Sequence, residues 1–256
     1  MIMLPALFWL IMLKRTVTGG STVPEEWVIQ HLVLPASGWV ETNLPVLDTL
    51  IIGISALGSG WFVALAFAAL GLLALSRGRR DLAFLLALGT LCFPMEWALK
   101  YFTSADAISL PTLLGALFDV NGIGLDDIAD FPAGHALRAT VLYGLAAFCV
   151  ARLAHDVRQG VVAYVVAGVL IGAISATRIY LGAHFPLDVL GGWIAGAALL
   201  SILVAVHVLR VDERAAEREG SRVPATATGP RRVAVPRRQP PTSPHKASAP
   251  NEPVEG

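Results

Sequence analysis

VVAYVVAGVLIGAISATRIYLGAHFPLDVLGGWIAGAALLSILVAVHVL, residues 161–209, reads as two apolar stretches interrupted by one short junction that holds an arginine, a histidine and an aspartate. Crossing about 30 Å of hydrocarbon takes about 20 residues of helix. Residues 161–177 and 187–209 meet that need, as do two stretches at roughly 50–75 and 81–100, and 136–153 is shorter but adequate. Composition agrees. The 256 residues are 55% hydrophobic and 15% charged, where a soluble domain carries about 25% charged residues, and mean hydropathy is +0.65. The expected fold class is all-α, a polytopic transmembrane helical bundle of five to six spans.

The sixth span rests on MIMLPALFWLIML, residues 1–13, which as a helix reaches only about 20 Å. It reads as a short or tilted membrane helix, with an interfacial segment or a signal-like remnant as alternatives, although it lacks the basic start of a signal peptide. Three regions follow: an N-terminal hydrophobic segment and extramembrane loop with room for a short amphipathic helix (1–48), a membrane-embedded domain (49–211), and a Pro/Arg/Ala-rich basic tail (212–256). The tail has too little apolar surface to offset the entropy of ordering, so disorder is expected. Its arginines could meet anionic headgroups or simply keep the tail in solvent. Cys92 and Cys149 fall inside apolar spans, as packing thiols and not as a disulfide.

Basic residues orient such a bundle. Arg77, Arg79 and Arg80, then Arg152 and Arg158, then Arg210, Arg214 and Arg218 occupy alternate connections and share one face, expected to be cytoplasmic. Lys14 and Arg15 run against this if the first segment spans. The opposite face receives Lys100, Arg138, Arg178, His135 and His184. Ionisable groups at membrane depth cost several kcal/mol unless paired or wetted, so their convergence marks a functional site.

In RIYLGAHFPLD, residues 178–188, Pro186 suits the first turn of a helix. That puts His184 at the cap and Asp188 one turn inside, on the same side. The aspartate can hold one ring nitrogen and leave the other nucleophilic, and Arg178 can offer a planar guanidinium to an oxyanion. A surface histidine beside a capping aspartate is the plainer alternative. In DFPAGHALRAT, residues 130–140, Pro132 and Gly134 form a turn before an apolar helix that starts with His135. Helix N-terminal amides bind anions, and a histidine there can protonate a leaving oxygen; a turn and cap alone would look similar.

Together, Pro132-Ala133-Gly134-His135 and Arg178-x5-His184-x3-Asp188 resemble the type 2 phosphatidic acid phosphatase superfamily, integral-membrane lipid phosphate phosphatases that share a helical core with vanadium haloperoxidases. The family's signatures are Lys-x6-Arg-Pro, Pro-Ser-Gly-His and Arg-x5-His-x3-Asp. ALGSGWF, 56–62, followed by an apolar span and SRGRR, also resembles bacterial members, and the likeness covers roughly 49–210. It implies that His184 attacks phosphorus with Asp188 holding its ring, and that His135 protonates the leaving group and then activates water. It further implies that Arg178, Lys100 and the amide of Gly134 neutralise the phosphoryl oxygens, the charge stabilisation that phosphoryl transfer chiefly needs.

Neither a metal nor another cofactor is implied, and nothing points to nucleic acid; the expected partners are a lipid phosphate substrate and membrane lipids. The chain departs from the family at Ala107-Ile108, where Arg-Pro is expected, and at Ala133, where serine is usual. Arg138, one turn after His135, is expected to supply the missing guanidinium, against the alternative of reaching toward headgroups. LFDVNGIGLDDIADF, 117–131, could greet a cationic headgroup, hold a divalent ion or be a solvated acidic loop. The expected function is a bacterial plasma-membrane lipid phosphatase with an outward-facing site, its substrate a polyprenyl diphosphate, phosphatidate or phosphatidylglycerophosphate. The alternatives are a phosphotransferase of the same fold and a catalytically degenerate phospholipid-binding or transport protein.

Overall fold

A computed structural model describes residues 27–103 and 131–222. The segment 1–13, Lys14 and Arg15, Ala107-Ile108, the acidic loop up to Asp130 and the chain beyond Arg222 lie outside the described residues.

After a π-helical turn at Ile29–Val33, the helices are α1 (Leu34–Asn43), α2 (Pro45–Ala56), α3 (Gly60–Ser76), α4 (Arg80–Gly89), α5 (Cys92–Thr103), α6 (Gly134–Leu153), α7 (Val157–Tyr180) and α8 (Pro186–Arg222). Among the described residues four helices are long and apolar enough to cross a membrane: Arg80–Lys100, which joins α4 to α5, Gly134–Leu153, Val157–Tyr180 and Pro186–Glu213. A bent pair, α2 with α3, makes a fifth if counted as one span. The chain is a polytopic all-helical membrane protein. The described residues up to Arg214 form one compact unit.

Two expectations change. The run 50–75 is not one helix but two, bent by 57°. Gly58, Ser59 and Gly60 sit at the break, and sharp kinks fall at such Gly/Ser sites; Ser59 is extended (φ −65°, ψ 153°). Ile29–Asn43 is helical, within the N-terminal loop that was read as having room for a short helix. Finally, α8 continues through Asp212 to Arg222, where disorder was expected.

Buried side chains from α3 (Val63, Phe67), α4 (Leu85, Leu86), α6 (Leu137, Val141, Leu142, Leu145) and α8 (Ala195, Leu199, Leu203) form the main core. The central helix is α6: 56% of its membrane window is buried, against 28% for α7, which turns Val161, Val165 and Val169 outward. Helix α8 meets α6 along a glycine face. A Cβ at Gly192 would lie 2.6 Å from the Ala133 carbonyl oxygen, and one at Gly196 would lie 2.9 Å from that of Leu137. Only bare backbone fits there, and this close approach welds the two histidine-bearing segments together. Cys92 and Cys149 are free thiols.

Candidate active site

Local backbone chemistry explains the spacing of the 178–188 motif. Helix α7 ends in a Schellman stop: Gly182 takes φ +68°, its N–H donates to the Ile179 carbonyl at 3.0 Å, and Ala183 N–H donates to the Arg178 carbonyl at 3.0 Å. Glycine enters the left-handed region without the strain a Cβ brings. Helix α8 then starts as half of a capping box, with Asp188 at its third residue accepting the Phe185 N–H on Oδ2 at 2.8 Å. Arg178 therefore closes one helix, Asp188 opens the next, and His184 lies on the tight link between them. Asp188 is fully buried and His184 is half-buried.

The second segment docks on the first through backbone. Ala133 N–H donates to the Asp188 carbonyl at 2.9 Å. The Pro-Ala-Gly-His turn and the His-x-x-x-Asp helix start thus share one end of the bundle, and Lys100 in the last turn of α5 and Arg178 in the last turn of α7 point to that same end of their helices.

Buried charge is paired there. Glu96, which the sequence reading did not single out, accepts from Arg138 Nη1 on Oε2 and pairs through Oε1 with Lys100 Nζ at 3.3 Å. A Cβ at Gly134 would fall onto the Glu96 carboxylate. That position is glycine, therefore, because the acid occupies the space. Arg138, only 3% exposed, also donates from Nε to the Gly58 carbonyl at 3.2 Å and places Nη2 3.3 Å from His135 Nδ1. The guanidinium of Arg138, expected to serve as a phosphate ligand, is engaged on three sides by protein groups.

A guanidinium has donors only. His135 Nδ1 must then accept, and the imidazole proton resides on Nε2. His135 is 6% exposed, and Nε2 has no hydrogen-bond partner among the described residues. The arrangement fixes the neutral tautomer in which Nε2–H is a hydrogen-bond donor.

Arg178 receives its own support from the broken span: its Nη1 donates to Ser55 Oγ at 3.0 Å, and Ser55 is fully buried. Tyr143 donates to the Leu57 carbonyl at 3.1 Å. The bend between α2 and α3 therefore exposes carbonyls that a straight helix would have consumed, and side chains of α6 use them. The signal available in the sequence was a lone acid in FPMEWALK, four residues before a lysine, the spacing of a helical ion pair. Among the described residues no group of three or more His, Cys, Asp or Glu side chains could hold a metal ion.

Comparison with known proteins agrees with this geometry. The family model of the PAP2 superfamily matches residues 124–212, which contain both histidine segments. Phosphatidylglycerophosphatase B of Bacillus subtilis (strain 168) is 36% identical over 74 residues, 28% of this chain and 36% of the relative, so the match spans about a third of that relative's length. A crystal structure described as the first transmembrane PAP2 type phosphatidylglycerolphosphate phosphatase from Bacillus subtilis superposes with a TM-score of 0.60 at 20% identity. That match covers 80% of this chain and 94% of the other, and it shows a shared fold.

Proposed function

We propose, from the premise that residues 124–212 belong to the PAP2 superfamily, that the chain is a membrane lipid phosphatase working through a phosphohistidine. The observation that carries the proposal is the Ala133–Asp188 backbone bond, which holds both histidine segments at one end of the bundle beside Arg178 and Lys100.

In this reading His184 attacks phosphorus while the P–O bond to the lipid oxygen breaks; His135 Nε2–H donates a hydrogen bond to that oxygen as its charge develops, and the oxygen takes its proton from solvent water. Water then attacks the phosphohistidine, its P–N bond breaks and the proton of the attacking water passes to solvent, releasing phosphate and restoring His184. Asp188 holds the His184 ring. Arg178, Lys100 and the Gly134 amide neutralise the equatorial oxygens, with Ala133 contributing backbone where the family has a hydroxyl. Glu96 and Arg138 are positioning residues that keep His135 in its donor tautomer.

The names of the two relatives favour phosphatidylglycerophosphate over polyprenyl diphosphates and phosphatidate. The distribution of arginines favours a site facing away from the cytoplasm, and the Bacillus subtilis origin of the relatives favours a bacterial plasma membrane. A binder without turnover draws support from Ala133 and from the engagement of Arg138, which leave fewer donors for phosphate.

The deciding experiment is phosphate release from a panel of these lipid phosphates in EDTA, comparing wild type with His184→Ala. Activity that persists with chelator and disappears in the variant supports the proposal. Tight lipid binding without phosphate release from any member of the panel would replace it with the binding reading.

A further inference from the structure

At the far end of the same helices lies a cavity. Arg80 and Lys100 bound one membrane-length helix pair, so Arg80 stands about 30 Å from the candidate site at 1.5 Å per residue. There α4 and α8 enclose a cavity of about 420 Å³ whose wall includes Arg80, Asp81, Phe84, Leu88, His207 and Arg210.

Its chemistry is divided. One part holds two guanidinium groups and a buried imidazole; Phe84 and Leu88 make the other part apolar and lie one to two turns further along α4. Arg210 is stacked over the Phe84 ring, 4.9 Å from its centroid, a contact that fixes the cation while its in-plane N–H groups stay available. Arg80 and Arg210 have no carboxylate partner among the described residues. Asp81, the acid in the wall, is engaged by Arg79 at 3.3 Å.

His207 is 6% exposed, its ring stands edge-on to Phe148 with centroids 5.7 Å apart, and its Nε2 has no hydrogen-bond partner among the described residues. An unpartnered imidazole nitrogen buried in a membrane helix costs free energy unless a ligand meets it. Nothing in the phosphatase chemistry uses it.

We infer that this cavity is a second, non-catalytic lipid site that takes the phosphate headgroup of an anionic phospholipid, with an acyl chain along Phe84 and Leu88. Basic pockets between membrane helices are suited to such headgroups. The apolar wall distinguishes a lipid from free phosphate, and the two arginines distinguish an anionic lipid from a zwitterionic one.

The test uses the full chain in detergent with dioleoyl phosphatidylglycerol as probe, its binding read by native mass spectrometry. Arg210→Ala is expected to weaken binding about tenfold, the effect of losing a charge-assisted contact. Arg77→Ala, on the same face but outside the cavity, is expected to change it less than about twofold. His207→Leu should weaken binding while His207→Gln retains it. Equal losses at Arg77 and Arg210 would reduce the effect to diffuse surface attraction and overturn the site. Equal binding of dioleoyl phosphatidylcholine, or displacement of the lipid by inorganic phosphate, would overturn the assignment to an anionic lipid. Because Arg210 is exposed, its variant is expected to fold even if His207→Leu does not.

Discussion

The two ends of the bundle both collect arginine, yet they treat it in opposite ways. At the motif end Arg138 and Arg178 are each 3% exposed and are met by Glu96, Gly58 and Ser55. At the other end Arg77, Arg80, Arg152 and Arg210 stand exposed. Exposed charge costs little and contributes little. Buried charge is tolerated only while its partners remain, so the first end is brittle and the second forgiving.

Glu96→Ala should be the most damaging change for stability, because it leaves the buried Arg138 without its carboxylate and takes one ion-pair partner from Lys100. Losing one partner of a buried pair costs about 3–5 kcal/mol, which thermal unfolding in detergent would register as a large fall in Tm. The double variant Glu96→Leu/Arg138→Met should recover much of the Tm but not phosphate release, separating positioning from mere structure. Recovery of both would mean that His135 needs no guanidinium beside it.

Next comes Gly192→Val. Overpacking costs about 1–3 kcal/mol, and here the intruding atoms meet the Ala133 carbonyl. Since that contact joins the two histidine segments, kcat should fall more than stability alone explains. A smaller effect is expected of Ser55→Ala, which removes one hydrogen bond from Arg178; a bond to a charged group is worth about 1.5–3 kcal/mol, or roughly tenfold or more in kcat. Smallest is Arg152→Ala, at the forgiving end, within about 0.5 kcal/mol and without effect on phosphate release. A large loss there would dissolve the contrast between the ends.

Much of this was legible in the sequence because it depends on length and on local rules. Apolar runs of sufficient length locate the spans, and Arg178-x5-His184-x3-Asp188 spells out a helix stop, a link and a helix start in consecutive residues. What was not legible depends on partners distant along the chain. In ALGSGWF the apolar residues outweigh the glycines, so a hydropathy count runs straight across the 57° bend. Glu96 is a single acid in an apolar run, and its meaning comes from Arg138, 42 residues away. Arg138 was expected to reach phosphate because its protein partners could not be named before the fold brought Gly58 and Glu96 beside it.

The bend between α2 and α3 also bears on the order in which the chain is made. Synthesis proceeds from the N-terminus, so the Gly58 carbonyl, the Ser55 hydroxyl and the Glu96 carboxylate all emerge before Arg138 and Arg178. Each buried cation therefore reaches the bilayer after its acceptor is already present. Reversing that order, by a circular permutation that moves α2 and α3 behind α8, would ask α6 to enter with Arg138 lacking one of its acceptors. Poor insertion of such a permutant, against normal insertion of one cut within the α7–α8 link, would show that the broken span serves assembly as well as chemistry.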